Sequence, residues 1–225
     1  MEWLSRQLDL YLDILRFLAP AIPMTLKVTL LAFVLALLGG MIISLIRISG
    51  FAPLRFLGRA YVDVIRGVPL LVQIFFIYFG LGKILNLDRF LAGVIAVGIC
   101  YSAYLAEIIR AGIQSVGKGQ YEAALSLGMS FPQTMRHIIF PQALRVIIPP
   151  TANEFVACLK DSSLVSIIGL RELTRAGREY YSQYFVDFHT WFMVAIIYFI
   201  LTYGLTRMFY WLERKYKVLG YEVAH

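Results

Sequence analysis

The chain has 225 residues, of which 60% are apolar and 16% charged, whereas soluble domains run nearer about 45–50% and about 25%. With a mean hydropathy of +0.72, that much apolar surface calls for lipid as solvent, and it excludes disorder, a collagen-like fibre and a disulfide-stapled secreted domain. Basic residues outnumber acidic ones 21 to 14, a net charge of +7, which in a membrane chain points to cytoplasmic loops and not to a nucleic-acid surface.

Residues 1–22 interleave Glu2, Arg6, Asp9, Asp13 and Arg16 with apolar side chains. That is too charged for a signal peptide and reads as an amphipathic segment lying in the membrane interface. Uncharged runs then place spans at about 24–47, 61–83, 89–113 and 188–210, each near the roughly 20 residues that cross a bilayer. A further span, at about 146–170, is mostly apolar but carries Asn153, Glu154, Lys160 and Asp161. Ionisable groups inside a bundle are costly and mark function. Pro149-Pro150 is expected to set its start or a kink. Cys100 and Cys158 lie in apolar runs without a CxxC pair and read as small core hydrophobes. The expected fold is all-α: an integral membrane helical bundle of about five transmembrane helices, one domain over 23–215, with 216–225 as a cytoplasmic tail.

An odd number of spans puts the termini on opposite sides. With the N-terminus outside and the C-terminus cytoplasmic, the inside segments hold the larger share of lysine and arginine, as the positive-inside rule asks. Arg171, Arg175 and Arg178, between the last two spans, are the exception.

The segment 119–144 is too polar to span and too patterned to be slack. Glu122-Ala123-Ala124-Leu125-Ser126-Leu127 reads as a short helix with an acid in its first turn and Gly128 as its C-terminal stop. Ser130 starts a second helix, with Gln133 completing a capping box and Pro132 in the first turn. Pro141 is expected to end it. Taken by itself, such a knob suits either bracing of the bundle or docking of a partner.

Glu122-Ala123-Ala124, Gly128, Ile138 and Phe140-Pro141 stand at the spacings of the EAA loop of ABC importer permeases, with Phe140 in place of leucine. Arg66-Gly67-Val68-Pro69-Leu70-Leu71-Val72-Gln73, the stretch from Ala103 to Ser115, and Lys160-Asp161-Ser162-Ser163-Leu164 are similar to segments of the polar amino-acid branch of that family. The resemblance covers residues 20–215 and implies a MetI-like fold. It also implies a non-catalytic transport subunit, for arginine and other basic amino acids or of the glutamine type. It implies two cytoplasmic ATPase subunits, which bind ATP and Mg so that this chain needs no cofactor of its own. An identical or homologous second permease, an extracellular or periplasmic amino-acid-binding protein and the lipid of a prokaryotic inner membrane complete the set, with no nucleic acid. Glu122, Ala123, Ala124, Gly128, Ser130 and Pro132 become the ATPase-coupling residues. The chain contains no Gly-x-x-x-x-Gly-Lys-Ser/Thr phosphate loop and so is not the ATPase.

For the substrate, residues seven apart share a helix face, which groups Glu154 with Asp161 and Asn153 with Lys160. An amino acid offers an ammonium and a carboxylate, and this helix offers an acid and donors. Glu154 is the leading candidate, either as the ligand of a cationic group or as the partner of Asn153 or of a base on another helix. Lys160 and Asp161 suit a buried pair at a helix end, and Ser162, Ser163 and Ser166 suit hydrogen bonds between helices or to their own backbone. Asn153, Lys160, Asp161 and Ser162 complete the candidate substrate set. Another small polar solute is the alternative cargo. An intramembrane enzyme is a distant alternative, since no paired catalytic groups or zinc motif are present.

Overall fold

The computed structural model of the protein describes residues 2–215, so the expected tail 216–225 lies outside the described residues. Within them the chain is helical, without strands. Helix α1 (Glu2–Leu18) runs through one 3-10 turn at Ala19–Ala21 into α2 (Ile22–Ile48). Pro20 and Pro23 sit where a missing N–H is tolerated, in first turns, so the two helices join into one long rod. Helices α3 (Ala52–Gly67) and α4 (Leu70–Phe75) follow, then a π turn at Phe76–Leu81 and the short α5 (Gly82–Leu85).

Helix α6 (Arg89–Ser115) is the central pillar, started by the Asp88 side chain, which accepts from the Leu91 N–H at 2.7 Å. It packs along α2 through a seam of small residues. Ala32, Ala36, Gly40 and Ser44 are buried every fourth position on α2, and Gly98 faces them from α6. A Cβ on Gly40 would stand 2.8 Å from Leu105 Cβ and 3.1 Å from the Ala106 nitrogen. Without a hydrophobic drive between helices in lipid, such close approach is what holds them together.

Helices α7 (Lys118–Ser126) and α8 (Phe131–Thr134) form the knob at one end. Helix α9 (Phe140–Asp161) leads away from it to a 3-10 segment at Ser162–Ile168, and α10 (Leu173–Tyr184) and α11 (Asp187–Lys215) close the chain. Ile14 and Leu18 of α1, Leu173, Ala176 and Tyr180 of α10, and Val194 and Ile197 of α11 form a second core at the far end.

Three expectations need correction. The span placed at 61–83 is a bent pair, α3 and α4–α5, with a 102° change of direction. Val68 is extended because the residue before proline avoids the helical region, and the uncharged run concealed the break. Pro141 does not end the second knob helix. A π turn at Met135–Ile139 precedes it, the Phe140 N–H reaches back to Met135 O, and Gln142 Nε2 donates to Ile138 O at 2.9 Å. The helix therefore continues into α9. Pro149 and Pro150 lie inside α9, so of the two roles expected for them, start or kink, the start is excluded.

By length and composition α1–α2, α6 and α11 qualify as membrane spans, and the bent pair adds another. Helix α9 adds a further 22-residue segment through the bundle despite Glu154, Lys160 and Asp161.

Candidate functional site

The knob is built by local rules. At the end of α7 the Met129 N–H bonds Ala124 O at 3.1 Å and the Gly128 N–H bonds Leu125 O at 2.9 Å, with Gly128 at φ +77°. This is a Schellman stop, which wants a residue without Cβ. Two residues on, the Ser130 N–H and hydroxyl both donate to Gln133 Oε1, at 2.8 and 2.9 Å, and Pro132 lies in the first turn. The reason given for Glu122 fails: α7 begins at Lys118, so Glu122 lies beyond the first turn. Ala124 is buried, whereas Glu122, Ala123, Gly128, Ser130 and Pro132 are exposed. Leu127, 83% exposed, and Phe131, 56% exposed, add apolar contact area that the sequence reading passed over.

The second site lies where α3, α6 and α9 meet. Glu154 is half-buried on α9 and stands within electrostatic reach of Arg66 and of Asp161. Arg66 ends α3 at the elbow, exposed, with its guanidinium 5.0 Å from the Tyr104 ring centre. Tyr101, three residues before Tyr104, donates its hydroxyl to Asp161 Oδ2 at 2.8 Å. The group thus joins a cation, two carboxylates and two phenol rings from three helices. Asn153 and Lys160 are exposed on α9. Among the described residues Lys160 makes no ion pair, so the expected Lys160–Asp161 pair is replaced by Tyr101–Asp161. Ser162 is fully buried: its hydroxyl donates to Leu159 O at 2.8 Å and lies 3.2 Å from the Thr29 hydroxyl. It faces α2, away from the charged group.

Arg66 is not among the candidate substrate residues named from the sequence, where it appears only within the Arg66–Gln73 segment. The sign available in the sequence was Pro69, which breaks a helix just after it.

The family described as "Binding-protein-dependent transport system inner membrane component" matches residues 36–218. The chain is 44% identical over 192 residues to the probable glutamine ABC transporter permease protein GlnM of Bacillus subtilis, covering 83% of this chain and 89% of that one. It is 40% identical over 212 residues to the glutamine transport system permease protein GlnP of Escherichia coli K12, covering 89% and 96%. A crystal structure of an amino acid ABC transporter with histidines superposes with a TM-score of 0.85 at 42% identity, over 91% of this chain and 96% of that one. The chain belongs to this family of inner membrane components. It is the multi-pass permease subunit of an ABC transporter, a transport subunit and not an enzyme, since ATP hydrolysis belongs to a separate subunit.

Proposed function

We propose that this permease imports a polar amino acid and that Arg66 and Glu154 form its zwitterion clamp. The observation that carries this reading is the nearness of opposite charges that make no ion pair with each other: a guanidinium on α3, held over the Tyr104 ring, and a half-buried carboxylate on α9 within its electrostatic reach. Glu154 receives the α-ammonium, or a cationic side chain, and Arg66 receives the α-carboxylate in bidentate fashion. Asn153, Lys160 and Asp161 line the approach. Ser162 is left out, because its hydroxyl is already committed to packing. Glutamine is the favoured cargo, as it is in the names of the GlnM and GlnP relatives. A basic amino acid would use the second carboxylate, Asp161.

In the same reading the knob faces the cytoplasm, the N-terminus lies outside and the C-terminus inside. Glu122, Ala123, Ala124, Gly128, Ser130 and Pro132 shape the surface that seats in an ATPase subunit, one for each of two permease copies. ATP and Mg are held by those ATPases, and a binding protein delivers substrate from outside. A capped, rigid knob continuous with α9 transmits a rigid-body movement straight to the helix that carries Glu154.

The test is uptake by the assembled transporter, with its ATPase and binding protein, in proteoliposomes. Glu154→Gln is expected to reduce L-glutamine or L-arginine uptake at least about tenfold, the loss of one charge-assisted contact, while the ATPase still copurifies. Unchanged uptake in that variant would remove Glu154 from the site. A permease that purifies without any ATPase would remove the docking role of the knob.

A further inference from the structure

The elbow between α3 and α4 breaks a helix, and this leaves two carbonyls without their helical partners. Ile65 O would ordinarily receive the N–H of residue 69, which is proline and has none. Val68 O would ordinarily receive the N–H of Val72, but that N–H bonds Pro69 O at 2.9 Å. One side chain answers both. Gln73 Nε2 donates to Ile65 O at 2.8 Å and to Val68 O at 2.9 Å, from a side chain only 7% exposed. The two carbonyls flank Arg66, so the carboxamide of α4 grips the segment that carries the guanidinium.

The other half of the same amide is left without a partner. Gln73 Oε1 is buried and receives no donor. A buried acceptor in that state costs about 1–3 kcal/mol, and a leucine or methionine would fill the same volume without that cost. What the position needs is the donor, and the donor is spent on the elbow.

We propose that Gln73 is a positioning residue for transport: it fixes the α3–α4 elbow and so aims Arg66 at the substrate carboxylate. Tyr104 steadies the guanidinium at its tip, 5.0 Å away, while Gln73 holds the backbone at its root. Binding then begins from an arginine already pointed, and the entropy of ordering it is not charged to the substrate. This inference rests on the zwitterion clamp of Arg66 and Glu154.

The experiment measures direct binding to the permease–ATPase complex in nanodiscs, without binding protein. Two probes are compared: L-glutamine, and 4-aminobutanamide, which lacks the α-carboxylate. In Gln73→Met the preference for L-glutamine is expected to fall about tenfold, close to 1.4 kcal/mol. Arg66→Gln is expected to do the same, and the double variant no more than either alone, because the two residues act as one unit. A loss of affinity equal for both probes, or single effects that multiply in the double variant, would overturn the positioning role and leave Gln73 a packing residue. If Gln73→Met does not assemble, Gln73→Asn, which keeps the donor on a shorter arm, takes the same test. Failure of both to assemble would equally overturn the proposal. An effect of Arg66→Gln without one of Gln73→Met sinks the positioning role alone. A silent Arg66→Gln, or a wild-type complex that does not prefer L-glutamine to 4-aminobutanamide, sinks the clamp.

Discussion

Arg47 Nη1 of α2 meets Glu107 Oε1 of α6 at 2.6 Å, with the arginine side chain only 9% exposed. The other carboxylate oxygen takes Arg110 Nη2 at 2.7 Å, so one acid holds two bases. Gly58 lets α3 press on the Arg47 stem, and Arg47 Nε is buried without a partner. Removing the acid strands a guanidinium that has little access to water. Glu107→Ala is therefore expected to cost on the order of 3 kcal/mol. Arg110→Ala, whose side chain is 30% exposed, should cost under about 1 kcal/mol. Thermal unfolding of the purified permease decides this, and equal losses in the two variants would show that burial of Arg47 does not set the energy.

The α2–α6 seam makes a second prediction. At Gly40 the obstacle to a side chain includes backbone, the Ala106 nitrogen and Ser102 oxygen, both 3.1 Å from a Cβ, which no rotamer change can move. Gly40→Leu should separate the two helices and cost at least the ~1–3 kcal/mol of an overpacked core, with loss of assembled protein. Gly204 of α11 is the contrast. It lies in a helix with nothing within 4 Å of an added Cβ, so Gly204→Ala should be neutral or stabilising by up to about 1 kcal/mol. Expression and melting temperature of the two variants test the seam directly.

These cases show which features the sequence made legible. The Gly128 stop and the Ser130–Gln133 box were readable because caps are made by residues within one turn of each other. The α2–α6 seam was not singled out, because small residues acquire meaning only against a facing helix. The elbow does not show in the hydropathy, because the run from Gly67 to Gly82 carries no charge and reads as one straight span, whereas Pro69 bends it by 102°. Pro141 does not end its helix, and Pro149 and Pro150 do not start theirs. A π turn at Met135–Ile139 leads into the first of them, and the helix runs on past it as α9. Glu154 and Asp161 are candidates from residue type and their seven-residue spacing along one helix, whereas the nearness of Arg66 to Glu154 shows only once α3 and α9 are placed.

The Gly128 stop makes a prediction specific to backbone strain. Nothing lies within 4 Å of a Cβ there, so the penalty of substitution is the left-handed conformation itself, φ +77°. Gly128→Val should cost about 1–2 kcal/mol, and Gly128→Asn clearly less, because asparagine tolerates that region. The amount of ATPase that copurifies should fall in the same order: glycine, asparagine, valine. Equal losses for asparagine and valine would mean that the partner's surface, and not the turn, rejects the side chain.

The far end of the bundle carries a carboxyl with a built-in pH response. Glu172 is fully buried at the start of α10, where its oxygens accept from the Arg175 N–H at 2.7 Å and the Thr174 N–H at 3.0 Å. The Tyr198 hydroxyl adds a donor at 2.9 Å, and the Leu173 N–H reaches Thr25 Oγ1 at 3.0 Å, so this one corner ties α2, α10 and α11 together. Burial pushes the Glu172 carboxyl above its ordinary value, against the opposing pull of those hydrogen bonds. A carboxyl raised in the folded state holds its proton more tightly there than in the unfolded chain. Its contribution to stability is thus complete below the ordinary carboxylate range and is lost as pH rises through the folded value. Glu172→Gln stays neutral and should erase that dependence, although its amide supplies one acceptor in place of two. Melting curves of wild type and variant, recorded from pH 4 to pH 8, should therefore differ in slope: the wild type loses stability on going up from about pH 4.5, and the variant loses less. Parallel curves would show that desolvation of Glu172 is fully offset by its three donors.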